Sequence, residues 1–98
     1  MKDKNNKEKY YLYILRSIKD NKLYTGCTKN LMKRLVEHNS GKSISLRRRR
    51  PLKLVYYEIF ESRSEAMKRE YYLKSLEGGK LKQQLIKNFP KEHLKEYE

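Results

Sequence analysis

The chain has 98 residues, enough for one domain with one modest core, and its 25 lysines and arginines against 12 acids leave a formal charge of +13. No apolar run approaches the ~20 residues that span a bilayer, since Arg16 ends the one at residues 10–15. A single cysteine excludes an internal disulfide framework and suits a reducing cytoplasm, while the charge excess calls for a polyanionic partner.

Residues 1–9 are polar, lack the apolar stretch of a secretory leader and are expected to be frayed. Residues 10–15 (Tyr-Tyr-Leu-Tyr-Ile-Leu) suit a strand with Tyr11, Tyr13 and Leu15 on one face and Leu12 and Ile14 on the other. Both faces are apolar, so a central strand is expected. Asp20-Asn21 carries turn chemistry, and residues 22–26 read as a second strand. Thr28 or Asn30 can cap a short helix over residues 30–38, with Leu31, Leu35 and Val36 as its apolar stripe and an end at Asn39-Ser40-Gly41. An arginine-rich loop then runs to Pro51, and residues 52–60 read as a third strand. Ser62 and Glu65 have capping-box spacing before a helix expected over residues 63–77 and stopped by Gly78-Gly79. A last helix is expected over residues 81–89, followed by a charged tail at 91–98. The order predicts a small α+β domain, an antiparallel sheet with helices packed on it.

The charge is uneven. Residues 22–53 hold ten bases and one acid, Glu37. Lys29, Lys33, Lys42, Arg47, Arg48, Arg49 and Arg50 are therefore candidate contacts to a phosphate backbone, since a solvated face normally mixes both signs. The same count suits a protein that is simply basic throughout.

Three groups stand out as chemistry. Glu70 falls among the apolar positions Ala66, Met67 and Leu73 of its helix, and a carboxylate there needs a cation or an ion pair. A metal ion is one reading and a rim salt bridge to Arg34 or Lys74 is the other. Arg34 and His38 are four apart and share a helix face, where they can contact a phosphate and move a proton, or be solvated. Tyr13 and Tyr24 are two of nine tyrosines; most of these belong to core or rim, and a phenol of pKa about 10 is a poor base without a cationic neighbour. Gly41-Lys42-Ser43 is not a P-loop, because Val36 stands where the first glycine is needed. Cys27 lacks partners at zinc spacing, and no third group orients His38 toward it for thiol catalysis. His93 belongs to the charged tail.

Taken together, these residues resemble the GIY-YIG nuclease domain. Tyr11-Leu12-Tyr13 stands in place of Gly-Ile-Tyr, and Tyr24-Thr25-Gly26 in place of Tyr-Ile-Gly. Residues 30–38, 50–57 and 64–70 resemble the family's first helix, third strand and glutamate-bearing helix, so the likeness covers roughly residues 10–80. It is greatest to the small stand-alone, excinuclease-C-like bacterial members. The resemblance implies a three-stranded antiparallel sheet flanked by about three helices, and a metal-dependent endonuclease acting on DNA. It also implies structure-selective cutting linked to DNA repair or recombination. By position, Glu70 would be the sole protein ligand of Mg²⁺ or Mn²⁺ and Tyr24 the base or relay, with Tyr13 beside it. Arg34 would hold the scissile phosphate, His38 would support the proton network, and Gly26 would let the chain pass close to the site.

Tyr11, Thr25 and Cys27 depart from the family pattern; some members carry a lysine at the position of Cys27. A tight turn at Asp20-Asn21 does not bring Tyr13 opposite Tyr24, so their adjacency follows from the resemblance and needs a wider loop or a bulge. A nucleic-acid-binding module that kept the fold without cutting is the alternative, and a module docking on an acidic protein is a third reading. Little sequence is left over for reading a long target, so recognition of shape or ends, or delivery by a recruiting protein, is expected.

Overall fold

The computed structural model describes residues 8–98. The expected fraying of residues 1–9 lies mostly outside that range; Glu8 and Lys9 precede the first strand. Three strands form one antiparallel sheet in the order β2-β1-β3: β1 Tyr10–Ser17, β2 Leu23–Thr28 and β3 Leu52–Phe60. Helix α1 spans Leu31–Asn39, α2 Arg63–Lys74 and α3 Leu76–Asn88, with 3₁₀ segments at Ile44–Arg49 and Lys91–Tyr97. This is the α+β architecture expected from the element order. Among the described residues, no helix is long and apolar enough to cross a membrane.

The central place of β1 follows from its two apolar faces. Tyr13 and Leu15 pack with Leu31 and Leu35 of α1 and with Leu46, Leu52, Leu54 and Leu94. Leu12 and Ile14 pack on the other side with Tyr56 and Leu73. A bulge in β3 joins the two layers: Ile14 pairs with Tyr56 but Leu15 pairs with Leu54, leaving Val55 as the extra residue. Phe89 closes the β3 side with its ring centroid 5.0 Å from Tyr56 and 5.2 Å from Tyr57.

The β1–β2 connection is wider than a two-residue turn. Ser17 and Lys22 close it, Asn21 takes a left-handed conformation at φ 64°, and the Asp20 carboxylate accepts from the Lys22 N–H at 2.9 Å. The resulting register pairs Tyr13 with Gly26 and Leu15 with Tyr24. The two tyrosines are thus diagonal neighbours on one face rather than directly opposed.

Caps set the helix starts. Asn30 accepts from Lys33 N–H at 3.1 Å and Ser62 from Glu65 N–H at 3.1 Å. The expected helix over residues 63–77 ends earlier, because Ser75 leaves the helical conformation at ψ 168° and caps α3 by accepting from Gly78 N–H. Gly78-Gly79 therefore lies inside α3 and does not stop α2. Its purpose is close approach: a Cβ on Gly78 would stand 1.9 Å from the Tyr72 carbonyl oxygen. The 91–98 stretch is not only a charged tail, since Leu94 is buried in the core and Tyr97 packs on Tyr57.

Gly78→Ala forces the α2–α3 junction apart and is expected to cost about 2–3 kcal/mol. Urea unfolding measures it; a midpoint equal to wild type would show that the junction yields freely.

Candidate active site

Helix α1 carries its polar groups to the β1–β2 face. Leu31, Leu35 and His38, spaced by four and then three, form its buried seam. Val36, expected in that stripe, is 61% exposed, while His38, expected beside it, is 1% exposed. A buried imidazole needs partners, and it has two. Tyr13 Oη lies 2.9 Å from Nε2, and Ser43 Oγ lies 2.5 Å from Nδ1. Burial, and then the nearby Arg34 charge, lowers the His38 pKa, so the ring is held neutral. Ser43 entered the sequence reading only through the rejected P-loop; it comes from the loop after α1, and no linear pattern ties it to His38.

Tyr13, Tyr24 and His38 form a triangle of rings. Their centroids are 6.3 Å apart for the two tyrosines, 5.9 Å for Tyr13–His38 and 5.5 Å for Tyr24–His38. Burial pushes the Tyr13 phenol well up, and the Arg34 guanidinium pulls it partly back. Tyr13 is therefore a neutral hydroxyl, suited to hold His38 and unsuited to be a base. Tyr24 is only half-buried, on edge strand β2, and of the two phenols it is the one open to solvent. Gly26 sits under the Tyr13 ring, where a Cβ would meet Oη at 2.7 Å and Cζ at 2.8 Å. That close approach is the reason for glycine here, in a strand that otherwise disfavours it.

Glu70 reaches the same edge from α2. Ala66 and Leu73 of that helix are fully buried, but Met67 is exposed and Glu70 is half-buried. Its Oε2 accepts from Lys74 Nζ at 2.6 Å, so the expected rim ion pair is present, with Lys74 rather than Arg34. Arg34 instead bonds Glu37 at 3.1 Å. Glu70 lines a cleft of about 430 Å³ with Cys27, Thr28 and Lys29. A neighbouring cleft of about 360 Å³ shares those three β2-end residues and adds Lys33 and Arg34. The two clefts lie on either side of the end of β2, Glu70 on one and Arg34 on the other. Cys27 supplies no cation: it donates to the Ala66 carbonyl at 3.2 Å, and burial, with the Glu70 carboxylate adding to it, pushes its thiol up to about 12. Lys74 does bring an ammonium close to Cys27, its charge favoured by Glu70 and, more weakly, by Tyr24. Thr25 is 2% exposed and its Oγ1 has no hydrogen-bond partner among the described residues, so the hydroxyl is a local cost where the family has an isoleucine.

The basic candidates divide. Lys29 and Lys33 line the clefts just described. Lys42 is exposed beyond α1. Arg47, Arg48 and Arg50 border a separate hollow of about 720 Å³ with Lys19. There Arg47 donates to the Gly41 carbonyl and Arg50 to the Arg47 carbonyl, at 2.9 and 2.8 Å, which fixes their stems. Arg49 pairs with Asp20 at 3.5 Å. The arginine-rich loop is thus an ordered 3₁₀ turn anchored by buried Leu46. His93 is exposed beside Phe89 and belongs to no site.

A model of the GIY-YIG catalytic domain matches residues 9–83. The chain belongs to the GIY-YIG family. Among similar proteins, the UPF0213 protein SH2523 of Staphylococcus haemolyticus is 52% identical over 68 residues, covering 68% of this chain and 82% of that one. The UPF0213 protein CPE1444 of Clostridium perfringens is 54% identical over 67 residues, 67% of this chain and 71% of its own length. The solution NMR structure of the UPF0213 protein BH0048 from Bacillus halodurans is similar at 38% identity and a TM-score of 0.50, covering 82% of this chain and 85% of that one. The GIY-YIG relationship makes this a nuclease-type fold.

Two outcomes follow from the site's packing. Gly26→Ala must displace the Tyr13 ring and is expected to cost about 1–3 kcal/mol, read by thermal unfolding together with loss of the hydrogen-bonded His38 imidazole signal in NMR. An unshifted imidazole would contradict it. Because the folded pKa of His38 lies below its ordinary 6.5, the unfolded chain takes up the proton first as pH falls. The His38 contribution to stability is therefore present above about pH 6.5 and is lost as pH falls toward the folded value. His38→Gln should flatten the difference in urea midpoint between pH 7.5 and pH 5.5; an unchanged difference would place the pH dependence elsewhere.

Proposed function

We propose that this chain is a divalent-metal-dependent endonuclease that hydrolyses phosphodiester bonds in DNA. The observation that carries the proposal is the meeting of Tyr24, Arg34 and the Tyr13–His38 pair at β2, with Glu70 brought to the same strand from the opposite helix. A carboxylate able to hold a cation, an arginine and a phenol at one edge can together stabilise a phosphate under attack and relay a proton.

The donor set suits a hard cation. Glu70 is one half-buried carboxylate on a solvent-open cleft, and Mg²⁺ or Mn²⁺ tolerates a single protein carboxylate because it keeps several waters. Among the described residues no group of three or more His, Cys, Asp or Glu side chains could hold a metal, so Glu70 would act alone. When bound, such an ion supplies Lewis-acid stabilisation of the phosphate and a water of lowered pKa. Arg34, on the neighbouring cleft, holds a non-bridging phosphate oxygen as charge develops. Tyr24 accepts or relays the proton of the attacking water. Tyr13, neutral and hydrogen-bonded to neutral His38, keeps the Tyr24 surroundings in place. Lys29 and Lys33 draw in the adjoining backbone.

Two features favour binding without cutting: Lys74 already satisfies Glu70, and Cys27 stands where a cation is found in some relatives. The readings separate in one assay. With Mg²⁺ or Mn²⁺, wild type should nick or cleave branched or single-strand-containing DNA, Glu70→Ala should lose at least about a hundredfold, and Tyr24→Phe a similar or larger amount. Both variants should still bind. Wild type as inert as Glu70→Ala on duplex, flap, junction and single-stranded DNA would leave only the binding module.

A further inference from the structure

The groove beside the Glu70 cleft has no part in the scheme above. Arg63, Met67 and Tyr71 stand at successive turns of α2, with Ser64 and Lys68 alongside, and line an open groove of about 780 Å³. Arg63 and Met67 also line the Glu70 cleft, so the two depressions are continuous. Tyr71 is 81% exposed and Met67 48%.

The tyrosines make Tyr71 conspicuous. Tyr11 pairs with Tyr57, Tyr13 with Tyr24, Tyr56 with Phe89 and Tyr97 with Tyr57. Lys29 lies over Tyr10 and Arg69 over Tyr72. Tyr71 alone among the described tyrosines stands in no aromatic or cation–π pair. A large ring presented to water, flanked by Arg63 and Lys68, is the arrangement that stacks a nucleobase while cations hold its phosphates. A second copy of this chain is disfavoured as occupant, because each copy carries +13.

Resting on the nucleic-acid reading above, we propose that Tyr71, with Arg63 and Lys68, forms a stacking platform for an unpaired DNA strand leading away from the Glu70 cleft. Inside a duplex the base faces are occupied by their neighbours, so away from the two blunt ends a surface tyrosine can stack only on an unpaired base. The platform therefore selects substrates with a single-stranded arm next to the cleaved bond.

The test is binding by the full chain in EDTA, which removes cleavage from the measurement. The probes are a short fluorescein-labelled oligothymidine and a blunt duplex of equal length. Tyr71→Ala should weaken single-strand binding by about tenfold and leave duplex binding as it is. Tyr71→Phe, which keeps the ring, should bind like wild type. Tyr71 is exposed, so neither change threatens the core. Single-strand affinity unchanged in Tyr71→Ala, or lost equally on duplex, overturns the platform and leaves the proposed activity standing. Wild type that binds neither probe overturns both.

Discussion

One buried hydrogen bond organises this domain. Tyr13 on the central strand and His38 on α1 meet at 2.9 Å inside the core. The bond has a condition on each side. Gly26 must lack a side chain so that the phenol can lie across β2. Ser43 must come back from the loop to satisfy the far ring nitrogen. A half-satisfied buried polar pair is worse than an apolar one, so these segments stand or fall as a unit. The site sits directly on it: Tyr24 packs against both rings, and Arg34 shares the helix that His38 anchors. The neutral imidazole and neutral phenol give that neighbourhood rigidity without charge, so the charges beside it are those of Arg34, Lys74 and Glu70, with Lys29 and Lys33 on the clefts.

The charge excess is organised in the same way. Lys29 and Lys33 serve the clefts at the end of β2. The arginines of the 3₁₀ turn form a second basic surface and spend part of their donor capacity on backbone carbonyls. Fixed stems would lower the entropy lost if the guanidinium groups met a phosphate, as the proposed function has it. Arg69 of α2 donates three hydrogen bonds, at 2.9 to 3.2 Å, to the Glu58 carboxylate of β3, which turns that arginine inward and leaves Arg63 and Lys68 to face outward.

Much of the fold was legible because its signals are local. The doubly apolar segment of β1 announces a central strand, and Asn30 and Ser62 mark helix starts that the structure keeps. The α2–α3 boundary was not legible. Two adjacent glycines look like a stop in a sequence, but Gly78 answers to the Tyr72 carbonyl, a contact that exists only once α3 has folded back. His38 was misplaced for a related reason. Its spacing from Leu31 and Leu35 fits the buried seam, yet a polar residue enters a core only if distant groups satisfy it, and Tyr13 and Ser43 are 25 and 5 residues away. Val36 is the reverse case, an apolar residue that solvent keeps. The tyrosine neighbourhood needed the strand register, which the four-residue loop decides. Glu70 was set apart by its helical phase, although Met67 of the same apolar set is exposed, and the ion pair with Lys74 is one of the two readings its position allowed.

The bulge at Val55 bears on how the chain tolerates changes in length. Across it, Leu54 and Tyr56 already pair with adjacent residues of β1, Leu15 and Ile14. Removing Val55 would close the bulge and leave every other β3 side chain on its own face, at the loss of some local twist. The edge strand β3 thus holds one residue of slack. Strand β1 holds none, since it is paired on both sides and a deletion there would turn Tyr13 away from α1. Variation in length is therefore absorbed at the sheet edge remote from β2, where the proposed chemistry takes place.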